Sequence, residues 1–140
     1  MSEENKAIAR RYLEEAFNNK NLDVIDEIVS DDYIDHHMPF ELPRGPEGVK
    51  LSFNYLFSAF PDCHSIVKDV ISEGDKVATR FEFTGTHQGE FLGIPGTGKQ
   101  FSITSIHIFR ITDGKLMERW ENADHLGWMR QLGVIPSPGE

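Results

Sequence analysis

GTHQGEFLGIPGTGK (residues 85–99), RITDGKLMERW (110–120) and ENADHLGWMRQLG (121–133) succeed one another almost without interruption. Two alternating segments, Gln100 to Ile111 and Leu116 to Asn122, flank a compact turn at Thr112, Asp113 and Gly114, which is the pattern of a β-hairpin. A glycine-rich loop, Gly93 to Gly98, precedes the hairpin. A short helix is predicted after it, beginning near Asp124, carrying Leu126, Met129 and Leu132, and stopping at Gly133. Asp124 therefore stands where the last strand should end, and an acidic side chain there is a candidate proton-transfer group.

Upstream, the hydrophobic period changes twice. Ser2 can cap a helix with Glu3 and Glu4 in its first turn, and Ile8, Tyr12, Leu13, Ala16 and Phe17 recur at helical spacing to an end around Asn18 to Lys20. Leu22, Ile25, Ile28 and Val29 suggest a second short helix, and DDYIDHH (31–37) an extended segment. Pro39, Pro43 and Pro46 break the chain. Pro46, after Gly45, can start a third helix carrying Val49, Phe53, Leu56, Phe57 and Phe60. From Cys63 the period becomes two, giving a strand up to the EGD turn at 73–75 and another over Lys76 to His87. Helices followed by hairpin-linked strands and a capping helix predict an α+β domain with a mainly antiparallel sheet, whose curvature would leave a cone-shaped cavity under the helices.

The chain has 140 residues, enough for one domain with one core. Its 14 basic and 23 acidic side chains give a formal charge of −9 and no basic run that could track phosphates, which argues against a nucleic-acid partner. No segment has the apolar length of a membrane span, and the acidic N-terminus lacks the features of a signal peptide, so a cytoplasmic location is expected. Cys63, the single cysteine, forms no intrachain disulfide and reads as a buried or edge thiol. GIPGTGK lacks P-loop spacing and precedes a strand, which excludes nucleotide binding there.

Period-two geometry assigns the faces of the strands. Phe101, Ile103, Ser105, His107 and Phe109 share one face; on the next strand Leu116, Glu118, Trp120, Asn122 and Asp124 share one parity, and Met117, Arg119 and Glu121 the other. A bulge would shift either register. Arg80, among hydrophobic neighbours, is either a pocket cation or a strand arginine reaching solvent. Trp120 and Ser105 are read as pocket wall. Phe53, Phe57, Phe60, Phe81, Phe83 and Phe109 read as core, with Phe57 also counted among ligand-contacting groups. His36 and His37, being adjacent on an extended segment, point to opposite faces, so one faces the pocket mouth and the pair is a poor metal site with Asp35. His64, His87 and His125 read as surface or turn residues.

The motifs at 85–133, with D-x-x-G at 124–127 and QLG after it, resemble the SnoaL-like polyketide cyclase family of the nuclear transport factor two-like superfamily, over nearly the whole chain. The resemblance implies acid/base chemistry with Asp124 as general acid/base and His36 as the pocket-facing histidine by its Y-x-x-H spacing from Tyr33; His107, from its strand face, is either the partner of Asp124 in that chemistry or a core histidine bonded to a neighbouring hydroxyl or carbonyl. A carboxylate and a neutral imidazole can together remove a proton beside a carbonyl and handle the enolate oxygen, as an intramolecular aldol closure requires, with no metal or redox cofactor. Three readings stay open. The first is such a cyclase acting on a small hydrophobic carbonyl compound. The second is a noncatalytic binder of the same fold, in which Asp124 caps the last helix. The third is a hydrolase or isomerase on the same scaffold; hydrolysis by water activation would need a second carboxylate close to Asp124, and the nearest in sequence, Glu118, lies about 20 Å away along an extended strand. A homodimer is expected through the convex sheet face, where Ile106, Ile108 or Phe81 would need cover.

Overall fold

The computed structural model describes residues 2–37 and 41–136, so Pro39 lies outside the described residues. Helix α1 (Ser2–Arg11) places Glu3 and Glu4 in its first turn and Arg10 and Arg11 in its last, as its dipole favours. The chain then winds on as a π-helical segment, Tyr12–Asn18. Its wider turn directs Tyr12, Leu13, Ala16 and Phe17 into the core together. Helix α2 (Asp23–Ile28) runs directly into strand β1 (Val29–Asp35). Helix α3 (Pro46–Ala59) starts with proline, which has no N–H to leave unsatisfied. Gly45 before it has φ 82°, and a Cβ there would sit 2.8 Å from the Asp31 carbonyl oxygen.

Strands β2 (His64–Glu73), β3 (Lys76–Thr86), β4 (Gln100–Thr112) and β5 (Lys115–Ala123) follow, and helix α4 (His125–Gln131) closes the chain. The sheet order is β1-β5-β4-β3-β2, with β1 parallel to β5 and the other pairs antiparallel. The sheet is curved and unclosed, as expected for this fold class. Asp113 and Gly114 both have positive φ, the geometry of a tight two-residue turn between β4 and β5.

The inner face is written by alternation. On β4, Phe101, Ile103, Ser105, His107, Phe109 and Ile111 are buried, and on β3 Val77, Thr79, Phe81 and Phe83. Phe81 is thus core and not convex surface, because it shares parity with Val77 and Phe83. Arg80, of the opposite parity, lies outside and pairs with Asp69 at 2.6 Å. Its hydrophobic neighbours are its flanks in sequence, which point the other way.

Strand β5 departs from simple alternation. The register passes from Ile111 opposite Leu116 to Arg110 opposite Glu118, so Met117 is an extra residue in a bulge. Leu116 stays in the core, and beyond the bulge the inward positions become Arg119, Glu121 and Ala123. A regular hairpin would put Trp120 opposite His107; the bulge puts Glu121 there. This one-residue shift decides the chemistry of the cavity.

The loop after β3 is fixed at its neck. His87 N–H donates to the Lys99 carbonyl and Gly98 N–H to the His87 carbonyl, while His87 Nδ1 lies 3.1 Å from Thr97 Oγ1. His87 is therefore a buried residue, not a surface one, held against Phe60. Cys63 is buried and its thiol is pushed up to about 11 by desolvation.

Candidate active site

Between the inner face of the sheet and the helices lies a cavity of about 330 Å³. That is at the lower end of the range for small-molecule sites. Most of its wall is apolar, from Phe17, Phe53, Phe83, Phe91 and Trp128 among others. Ser105, Arg119, Glu121, His37 and His125 give it one polar side, built from β4, β5 and the segments that follow β1 and β5, and the hydroxyl-bearing Tyr12, Ser52, Tyr55 and Ser65 line it elsewhere.

Arg119 organises this side. Its Nη1 donates to Asp35 Oδ2 at 2.9 Å, its Nη2 to Glu121 Oε1 at 2.6 Å, and its Nε to His107 Nδ1 at 3.4 Å. Side-chain exposures are 10% for Arg119, 8% for Asp35 and 13% for Glu121, so these charges interact with little screening by water. The guanidinium also lies over the Tyr12 ring, 5.8 Å from its centroid. Parallel pairing of β1 with β5 sets Asp35 opposite Arg119, which brings residues 84 apart in sequence into this ion pair.

The two carboxylates differ in what they have left to give. Asp35 accepts from Arg119 Nη1, from Tyr33 OH at 3.2 Å and from the His37 N–H at 2.9 Å. Glu121 accepts from Arg119 Nη2 and from Ser105 OH at 2.6 Å, and lines the cavity. A carboxylate has about four lone-pair directions. Glu121 thus retains acceptor capacity on the cavity side, whereas Asp35 is directed to Arg119 and its own strand. Arg119 is hydrogen-bonded to both carboxylates, and His37 Nε2 lies 3.7 Å from Glu121 Oε1 on the cavity side.

His107 sits behind the floor. It is fully buried among Tyr12, Phe81 and Phe109, and it is not among the cavity-lining residues. Burial, then the charge of Arg119, pushes its pKa well below the ordinary histidine value. The neutral ring accepts from Arg119 through Nδ1, which leaves the proton on Nε2, an atom without a hydrogen-bond partner. His107 therefore lies against the guanidinium behind the cavity wall and does not line the cavity.

A stability prediction follows from the same burial. Because the folded state holds His107 neutral while the unfolded chain takes up a proton below about pH 6.5, stability is complete above that pH and is lost as pH falls toward the depressed folded value. Between pH 7 and 5.5 this one group should remove about 1 kcal/mol in urea melts. His107→Gln should lack that component of the acid sensitivity.

Asp124 is a helix cap. Its Oδ1 accepts from Gly127 N–H at 2.9 Å, it is exposed, and it is not among the cavity-lining residues. A Cβ on Gly127 would lie 2.2 Å from Asp124 Oδ2. The D-x-x-G spacing is thus the signature of a capping carboxylate lying against its own first turn. Asp124 and Glu121 have opposite parity after the bulge, so only one of them can point inward.

The remaining expected site residues divide the same way. Ser105 lines the cavity as predicted. Trp120 lies on the outer face stacked on His36, with ring centroids 5.1 Å apart, and His36 pairs with Glu118 at 2.8 Å. Glu118 therefore cannot serve as a second carboxylate of the cavity; it also accepts from Arg110 at 2.6 Å. Phe57 packs on Phe17 and Phe53 and under Lys20, and is not among the lining residues. Alternation along β1 puts Tyr33, Asp35 and His37 inward, so His37, not His36, is the histidine at the cavity. Among the described residues no group of three or more His, Cys, Asp or Glu side chains has metal-site geometry.

The model of the SnoaL-like polyketide cyclases matches residues 7–132. An aklanonic acid methyl ester cyclase of Streptomyces peucetius is 34% identical over 128 residues, covering 88% of this chain and 87% of the relative. A nogalonic acid methyl ester cyclase of Streptomyces nogalater is 29% identical over 120 residues, 84% of this chain and 90% of the relative. The solved structure of TsrD from Streptomyces laurentii superposes with a TM-score of 0.86 at 32% identity, covering 95% of this chain and 97% of that one. The bulged β5, the inward carboxylate and the apolar cavity therefore belong to a nuclear transport factor two-like scaffold, and the chain is a member of the SnoaL-like polyketide cyclase family.

Proposed function

We propose that this protein closes a carbocyclic ring in a small hydrophobic ester that carries at least two carbonyl groups, with Glu121 as the base. The carboxylate takes a proton from the carbon next to one carbonyl, and the C–H electron pair becomes an enolate. That carbon bonds to a second carbonyl carbon, whose π electrons move to oxygen, and a proton returns to the resulting alkoxide. Arg119 lies beside the cavity with donors beyond the three it uses internally, so it stabilises the charge that develops on oxygen. The apolar wall supplies the desolvated setting in which these charges act strongly.

The observation that carries this reading is the position of Glu121, inside the cavity and held between Ser105 OH and the Arg119 guanidinium. The relatives named as cyclases of aklanonic and nogalonic acid methyl esters support the substrate class. Incubating purified protein with aklanonic acid methyl ester tests it. The expected product has unchanged mass and a new retention time, whereas saturable binding without any product would assign the noncatalytic reading.

A homodimer through the outer sheet face belongs to the same proposal. Ile106 and Ile108 are 47% and 38% exposed there. Sedimentation equilibrium should return twice the chain mass of 15.9 kDa.

A further inference from the structure

We propose that His37 is the second proton-transfer group of this cavity, delivering the proton that the new hydroxyl needs, and that His125 is its link to solvent. The proposal rests on the ring-closure reading above and adds to it the group that acts as acid. Its basis is a convergence of three side chains at the cavity. His37 Nε2 lies 3.1 Å from His125 Nε2 and 3.7 Å from Glu121 Oε1. The two imidazoles are stacked with centroids 5.3 Å apart. All three residues line the cavity, and they come from three places in the chain: the segment just after β1, the inner face of β5 and the first residue of α4.

His37 is held for this task from behind. Its N–H donates to Asp35 Oδ1, and the other oxygen of Asp35 is bound by Arg119, so the backbone at His37 is tied to the same cluster that holds Glu121. The ring is 26% exposed and reaches both the cavity and the edge of solvent. His125 is exposed and packs against Trp128, with rings 5.9 Å apart. Nε2 of His37 carries one hydrogen or one lone pair, so it serves His125, Glu121 or a ligand oxygen in turn and not all together.

The proton count closes. Glu121 takes the proton from carbon, the carbon–carbon bond forms, and the alkoxide takes the Nε2 proton of the His37 imidazolium, leaving His37 neutral. The proton on Glu121 then passes to His37 Nε2, which restores the carboxylate and the imidazolium. Nothing is oxidised or reduced, and the substrate is isomerised. His125 lets the pair exchange protons with solvent between turnovers.

Each charged group facing His37 acts on it with a known sign. Burial is the largest influence and holds its pKa below the ordinary histidine value; Glu121 and Asp35 favour its charged form, and Arg119 and His125 oppose it. The protonated, acid-competent fraction of His37 therefore falls as pH rises past a point below 6.5.

The test is the pH profile of kcat for aklanonic acid methyl ester between pH 5 and 8.5. The wild type should lose rate as pH rises through the His37 titration. His37→Gln should lower kcat roughly 10- to 100-fold, with KM within about threefold, and should flatten that limb. His125→Gln removes an opposing charge, so it should move the limb to higher pH. A His37→Gln enzyme that keeps both the limb and most of its kcat overturns the proposal, and so does a limb that stays in place in His125→Gln. Should the wild type fail to turn over the probe, the ring-closure reading falls by that result alone. Ring-nitrogen NMR then decides on the coupled unit: a His37 pKa that rises in His125→Gln and falls in Glu121→Gln supports it, and one unmoved in both overturns it.

Discussion

Glu121→Gln is expected to cut kcat for ring closure by about 10² to 10⁴, the usual contribution of a positioned base. Glutamine keeps the length of the side chain and one acceptor oxygen, which still accepts from Arg119 Nη2, while its amide NH2 donates to Ser105 Oγ in place of the bond that Ser105 gave the carboxylate. What it loses is the ability to take a proton. The fold should tolerate the change, because a neutral amide in place of one of two carboxylates leaves the Arg119 cation still paired with Asp35 at 2.9 Å. KM should change little, since most of the contact area for a ligand comes from Phe17, Phe53, Phe83, Phe91 and Trp128. Steady-state kinetics with a circular-dichroism melt on the same sample separates this loss from unfolding. A variant with full kcat would remove Glu121 from the chemistry.

Arg119→Met should have the largest effect on stability. Methionine fills similar space, yet it leaves the carboxylates of Asp35 and Glu121 facing each other with only 8% and 13% side-chain exposure and no cation between them. Removing one partner from a buried ion pair costs about 3 to 5 kcal/mol. For a chain of this size that is a fall in Tm of roughly 10 °C or more. His107 also loses the donor to its Nδ1. The triple variant Arg119→Met, Asp35→Asn, Glu121→Gln should recover a large part of the loss, because no unpaired charge is then buried. Urea denaturation of the single and triple variants measures both. Equal instability in the two would show that packing around Tyr12, and not charge, dominates at this position.

The sequence carries the scaffold plainly and the site only in part, and the difference has a physical origin. Helices, strands and the hairpin rest on periodicity and turn residues, which are local; Pro46, Asp113-Gly114 and Gly133 mark ends that the fold keeps. The face assignment of β4 follows the same alternation, so Ser105 and His107 come out on the inner side. On β5 the bulge at Met117 breaks the count, and nothing in LMERW marks it. Every assignment beyond it moves by one residue, so Arg119, Glu121 and Ala123 take the inward places that unbroken alternation gives to the parity of Glu118, Trp120, Asn122 and Asp124.

Other site members are fixed by pairing between distant strands. Asp35 meets Arg119 only because β1 joins β5 in parallel, and His125 meets His37 across the same end of the sheet. Such contacts leave no periodic trace. Alternation does predict that one of His36 and His37 faces inward; choosing between them requires the register of β1, which the tertiary structure supplies. The D-x-x-G motif shows the converse case, a local signal whose two ends meet in a helix cap, Asp124 Oδ1 accepting from Gly127 N–H.

The most direct test compares Asp124→Asn with Glu121→Gln in turnover of aklanonic acid methyl ester, together with their melting curves. Asp124→Asn should retain kcat within about threefold and show a small stability change, at most the 0.5 to 2 kcal/mol of a lost helix cap, while Glu121→Gln stays folded and loses turnover. A folded Asp124→Asn protein without turnover, beside a Glu121→Gln protein that still turns over, would contradict the assignment of Glu121 as the base.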